Sequence, residues 1–112
     1  MLENGDLMLF DNGNCRPDRH SRAVEYKLDM ARKTATLVWS YAADDGFAFR
    51  NCCGQVQQLK NGNTLIAWGG LAGNPRDDAI PVATEVTPAG QVVFELRSSI
   101  PSLPYRVWKQ EE

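Results

Sequence analysis

One short phrase occurs twice in this chain. Residues 4–10 read NGDLMLF and residues 61–68 read NGNTLIAW, each setting an Asn-Gly pair directly before an apolar run. Asn-Gly is what tight two-residue hairpin turns favour, because such turns need backbone conformations with positive φ. Two further strand-like segments follow each phrase: 23–29 (AVEYKLD) answers to 82–88 (VATEVTP), and 34–41 (TATLVWSY) to 91–97 (QVVFELR). A repeat of roughly 55 to 58 residues, holding about four short antiparallel strands, is the pattern of propeller blades.

Helical periodicity is missing between the repeats as well. Apolar residues alternate or run in short groups between Gly, Pro, Asn and Asp, which predicts strands near 6–10, 22–28, 34–41, 55–59, 64–68, 82–87, 91–96 and 104–109. Val24, Tyr26 and Leu28 alternate with Ala23, Glu25 and Lys27, the mark of a strand with one face buried. Leu37, Trp39 and Tyr41 repeat that pattern, as do Val92, Phe94 and Leu96. The expected fold is all-β, with two four-stranded antiparallel blades in a single domain, 1–112. The first blade spans about 6–41 and is completed by the strand 104–109 of a neighbouring copy; the second spans about 55–96. Trp39, Trp68 and Trp108 sit at strand positions and are expected in the core.

Connections alternate in length. Short turns fall at 4–5, 30–33, 61–62 and 88–90, and long loops at 11–21, 42–54, 69–81 and 97–103. In an up-and-down meander every second connection emerges at the same end, so the long loops share one face, where a site is expected. Of eight arginines, Arg16, Arg19, Arg22, Arg50, Arg76 and Arg97 fall in or beside those loops, whereas all four lysines lie elsewhere. Guanidinium forks match the oxygens of sulfate, phosphate or carboxylate. The same arginines could instead pair with Asp11, Asp18, Asp44, Asp45, Asp77 and Asp78 as a solvated network.

Several classes are excluded on composition. The net charge of −2 and the lack of any basic run argue against a general grip on nucleic acid or anionic membrane. No stretch approaches the roughly 20 apolar residues of a membrane span. The first ten residues hold an Asn, Gly, Asp turn where an export signal would be apolar. Cys15, Cys52 and Cys53 are an odd count, two of them adjacent, which fits reduced thiols and a cytoplasmic setting. With His20 they lack the usual C-x-x-C spacing of zinc sites, and the Asp44–Asp45 and Asp77–Asp78 pairs lack EF-hand spacing, so no metal or other cofactor is expected. Phe47 and Phe49, between polar residues of a long loop, read either as plugs or as walls for an aromatic ligand.

The stretch 10–26 adds a resemblance. An FDNG turn at 10–13, the arginine that follows it, the SR-x-VEY strand at 21–26, GQVQQLKNGNTLIAWG at 54–69 and YRVWK at 105–109 together resemble the arylsulfotransferase family of β-propellers. That family includes exported members. The resemblance implies that Arg16, the arginine after the turn, helps bind a sulfuryl group, with Ser21 and Arg22 matching the family's SR pair. It also implies a histidine that accepts the sulfuryl group covalently. This chain holds one histidine, His20, in the loop after Arg16 and not where the family motif places the acceptor. The expectation is a non-catalytic, ligand-binding module that takes a small anionic or aromatic molecule on its long-loop face, with Arg16, Arg22, Arg50, Asp11, Asn12 and His20 as candidate contacts. Asp11 and Asn12 equally suit the role of turn makers, with Gly13 at positive φ. An active sulfotransferase using His20 is one alternative, and a structural or interaction module is another. Two blades leave sheet edges and apolar faces open. A homo-oligomer is therefore expected, with a trimer making the six-bladed ring that the resemblance implies, and a dimer second.

Overall fold

The computed structural model describes residues 1–15, 17, 20–42, 53–69, 80–98 and 107–111. Among these residues there are seven strands: β1 (Leu7–Asp11), β2 (Arg22–Asp29), β3 (Thr34–Ala42), β4 (Gln55–Gln58), β5 (Thr64–Ala67), β6 (Ile80–Val86) and β7 (Val92–Ser98). They form two antiparallel meanders, a three-stranded sheet in the order β1-β2-β3 and a four-stranded sheet in the order β4-β5-β6-β7. The all-β expectation holds, and the seven boundaries fall within two residues of those read from the sequence.

The repeat is built by identical local bonding. In the first turn, Leu2 N–H donates to the Asp6 carbonyl (2.7 Å) and Gly5 N–H to the Leu2 carbonyl (3.0 Å). In the second, Leu59 N–H donates to Asn63 (2.8 Å) and Gly62 N–H to Leu59 (3.0 Å). Asn4 Oδ1 accepts from Asp6 N–H at 2.9 Å, as Asn61 Oδ1 does from Asn63 N–H at 2.9 Å. Gly5 and Gly62 sit at φ 89° and 88°, a region where a Cβ is costly. The two turns lie side by side, Met1–Asn4 against residues 58–62, around a shared groove.

The two sheets pack through aromatic and aliphatic side chains. Ile66, Trp68 and Val86 of the second sheet meet Ala23 of the first, with Phe10, Trp39, Tyr41 and Val56 closing round them. Trp68 is fully buried. Its ring meets Phe10 edge-on at 5.9 Å and Tyr41 at 6.3 Å, and its Nε1–H donates to Thr84 Oγ1 at 2.7 Å, so its one polar atom is satisfied. Trp39 Nε1–H donates to the Pro88 carbonyl (2.9 Å), which ties the β6–β7 turn to β3.

The C-terminal segment is described from residue 107 onward. Residues 104–106 lie outside the described residues, and 107–109 form no strand. They run against the second sheet of their own chain: Val107 packs on Leu59, Leu65 and Ala83. The Gln57 side chain takes both backbone groups of Lys109, accepting from its N–H (3.1 Å) and donating to its carbonyl (3.3 Å). A side-chain amide thus substitutes for a ladder partner. Trp108 is 62% exposed, where the sequence reading put it in the core; Trp68 is buried as expected and Trp39 is partly buried. Among the described residues, no strand pairs with the outer edge of β1.

Candidate functional site

At the end of the sheets away from the two Asn-Gly turns, β1 runs into the DNG turn and β2 begins at Arg22. Asp11 and Arg22 stand directly opposite each other in the ladder. That register brings the Asp11 carboxylate to Arg22 Nε at 3.0 Å, with both side chains roughly a quarter exposed. The other carboxylate oxygen of Asp11 accepts the Gly13 N–H at 2.9 Å, the Asx turn that an Asp two residues before a glycine offers. Gly13 is buried at φ 80°. One carboxylate therefore both shapes the turn and anchors the Arg22 guanidinium through Nε.

Asn12 points the other way. Its side-chain N–H donates to the Cys53 carbonyl at 3.0 Å, a link of 41 residues in sequence that joins the first loop to the segment entering β4. Cys53 and Gly54 take positive φ in succession, 66° and 101°. Gly54 leaves no room for a side chain: a Cβ there would come within 2.3 Å of Phe10 Cδ1. Ser21, fully buried, closes the loop by donating from Oγ to the Asn12 carbonyl at 2.8 Å. The loop from 13 to 20 is thus pinned at both ends, by Asp11 and Asn12 on entry and by Ser21 and Arg22 on exit.

Of the candidate contacts, Asp11, Asn12 and Arg22 come together at this sheet end, and His20 is exposed immediately before Ser21. Arg16 and Arg50 lie outside the described residues. Two participants were not among the candidates. Ser21 was known only as half of the SR pair, and its burial depends on the loop folding back onto Asn12. Cys53 contributes its carbonyl and not its thiol. The available signal was the Cys-Gly dipeptide before β4, a place where the backbone turns left-handed. Among the described residues, Cys15 is an exposed free thiol and Cys53 a partly buried one, and no group of three metal-ligating side chains gathers. No helix among them is long and apolar enough to cross a membrane.

Chemically, this end offers a guanidinium anchored through Nε, an exposed histidine and a loop tied to a double-sheet frame. That combination can hold an oxyanion. Arg22 carries one positive charge against the Asp11 carboxylate that it pairs with, so a net attraction for an anion requires further cations from the loop, the place that Arg16 and Arg19 occupy in sequence.

Comparison with known proteins places the chain. The family model for arylsulfotransferase (ASST) matches residues 1–106. Among curated proteins, the chain is 32% identical over 75 residues to arylsulfate sulfotransferase AssT of Escherichia coli O6:H1, a match covering 59% of this chain and 12% of that protein. It is 29% identical over 79 residues to arylsulfate sulfotransferase AssT of Lelliottia amnigena, covering 62% of this chain and 13% of that protein. The chain thus spans about an eighth of the length of these curated relatives. No solved structure gives a significant match. With nearly its whole length matched by the family model, the chain belongs to the arylsulfotransferase family.

Proposed function

We propose that this chain is a blade-pair module of an arylsulfotransferase-type β-propeller that binds a small anionic ligand, an aryl sulfate by preference, at the loop end of its sheets and does not transfer the sulfuryl group alone. The observation that carries this reading is the double use of Asp11. Its carboxylate holds both the Gly13 N–H and Arg22 Nε, so the arginine-bearing loop starts and ends on one fixed point. Preorganisation of that kind lowers the ordering cost of binding. In this reading the terminal nitrogens of Arg22, together with Arg16 and Arg50, meet the sulfate oxygens, and Asp11 and Asn12 act as frame. His20 stands at the rim. Family membership and the names of the relatives support sulfate esters as the ligand class. The single histidine, placed in the loop and not at the family's acceptor position, supports binding without transfer.

Thermal shift at matched ionic strength tests the reading. At ten times Kd a ligand adds about 1.4 kcal/mol, which for a chain of this size raises Tm by about 6 °C. Sulfate and a chromogenic aryl sulfate are expected to raise Tm over chloride, and Arg16→Ala to abolish the rise. Equal melting of wild type and Arg16→Ala in every anion would remove the proposal. Turnover of the aryl sulfate with a phenolic acceptor, lost in both Arg16→Ala and His20→Ala, would replace it with the enzyme.

A further inference from the structure

The two identical turns fix a residue-by-residue equivalence between the sheets, Leu2 with Leu59 and Gly5 with Gly62, and the ladders carry it outward. In the first sheet Phe10 lies opposite Ala23 and Ala23 opposite Tyr41; in the second, Ala67 lies opposite Ala83 and Ala83 opposite Leu96. Glu25 opposite Trp39 answers to Glu85 opposite Phe94. The face by which the first sheet packs on the second, carrying Phe10, Ala23, Trp39 and Tyr41, therefore has a counterpart in Ala67, Ala83, Phe94 and Leu96. That counterpart faces away from the first sheet. Phe94 is 53% and Leu96 49% exposed, and they border a groove of about 530 Å³.

The converse holds for the first sheet. The face of the second sheet that receives it carries Ile66 and Val86, with Val92 opposite Val86. Their counterparts are Leu9, Tyr26 and Leu37 on the outward face of the first sheet, where Leu37 is 44% exposed and Val24 is already buried. Outside the contact between the sheets, Phe94 and Leu96 of the second and Leu37 of the first are thus about half exposed, while Leu9 and Tyr26 are partly buried and Val24 is covered.

The C-terminal segment supplies the second argument. Inside the molecule, β4 approaches β1 where Gly54 meets Phe10. On the outer face that carries Leu65 and Ala83, residues 107–109 run over the sheet: Val107 packs on Leu65 and Ala83, and Lys109 Nζ pairs with Glu85 Oε2 at 2.8 Å. A sheet seated on this face in the way the first sheet seats on the second would bring the outer edge of its β1, with which no strand pairs among the described residues, beside that segment.

We propose that the occupant is a second copy of this chain, seated head to tail. Leu9, Tyr26 and Leu37 of one copy cover Phe94 and Leu96 of the next, and residues 107–109 of the second copy lie along the outer edge of β1 of the first. The contact is heterologous, so each copy offers one face of each kind and a closing rotation makes a ring. This rests on reading the two sheets as successive blades.

Sedimentation and light scattering on the full chain test it. Wild type is expected at an integer multiple of 12.5 kDa at micromolar concentration. Phe94→Asp and Leu37→Asp, both at exposed positions, are each expected to be monomeric with unchanged circular dichroism. Mixed together they should form a one-to-one pair and nothing larger, because each retains the face that the other lost. A monomeric wild type, or an oligomer that survives Leu37→Asp, would overturn the arrangement, as would monomeric variants that fail to pair on mixing. Sulfate-induced thermal shifts in the two monomeric variants separate the readings: a retained shift leaves the binding proposal standing whether or not copies assemble.

Discussion

Replacing Gly54 by alanine should cost far more than one methyl group suggests. At φ 101° an L-residue is strained by about 1–2 kcal/mol. The new Cβ would also lie 2.3 Å from Cδ1, 2.5 Å from Cε1 and 2.8 Å from Cγ of Phe10. Because Cγ itself is within reach, spinning the ring about its axis gives no relief, and Phe10 must move away from its edge contact with Trp68. Overpacking of this kind costs about 1–3 kcal/mol. Alanine recovers about 0.4–1 kcal/mol by restricting the unfolded chain, leaving a net loss of about 1–5 kcal/mol. Phe10→Leu removes ring atoms from the clash and leaves φ unchanged. In a double-mutant cycle the Gly54→Ala, Phe10→Leu pair should therefore recover about 1–3 kcal/mol relative to the sum of the singles. Urea unfolding at fixed protein concentration, followed by the emission of buried Trp68, measures all four corners. An unchanged m-value licenses the comparison. Additivity within about 0.5 kcal/mol, or a Gly54→Ala loss below about 1 kcal/mol, would refute the steric account of this junction.

Two carboxylates carry opposite pH dependences. Burial, followed by the adjacent Asp6 carboxylate, pushes Glu25 above its ordinary value of 4.5, so its favourable contribution is complete below pH 4.5 and is lost as pH rises through the higher folded value. Glu25→Gln should accordingly stabilise the protein at pH 7, by a gain that fades to nothing below pH 4.5 in urea titrations at several pH values. Glu85 is held below 4.5, first by its hydrogen bond from Lys109 and then by that from Asn63 (2.9 Å), so its contribution is complete above pH 4.5 and is lost as pH falls through the lower folded value. Lys109→Met should remove about 1 kcal/mol at pH 7, the discount reflecting a half-exposed ammonium, and should flatten the acid limb of stability against pH.

Strand order was legible because alternation and turn residues are local signals. The Asn-Gly turns, the alternation in 23–29 and the Gly-rich breaks each encode their own geometry. The alignment of the repeat was not. Pairing 23–29 with 82–88 puts Ala23 against Val82, whereas the ladders place Ala23 against Ala83 and Glu25 against Glu85. Register shifts between Glu25 and Tyr26, between Pro81 and Ala83 and between Glu85 and Val86 insert unmatched residues that composition does not reveal. At the site, the DNG turn and the opposition of Asp11 to Arg22 followed from two strands joined by a loop. The Asn12 bond to the Cys53 carbonyl did not, because it depends on how one sheet lies against the other. The position of Trp108 was missed for a related reason: a strand-like pattern tells which residues are apolar, not which surface receives them.

The paired turns give this molecule an internal control. The same hydrogen bonds close around Gly5, where residues 1–2 form no strand, and around Gly62, where β4 arrives complete. Amide exchange at Asp6 and Asn63 then compares one bend with and without a neighbouring ladder. The difference in protection between those two sites is the energetic worth of a fourth strand, measured within a single polypeptide under one set of conditions.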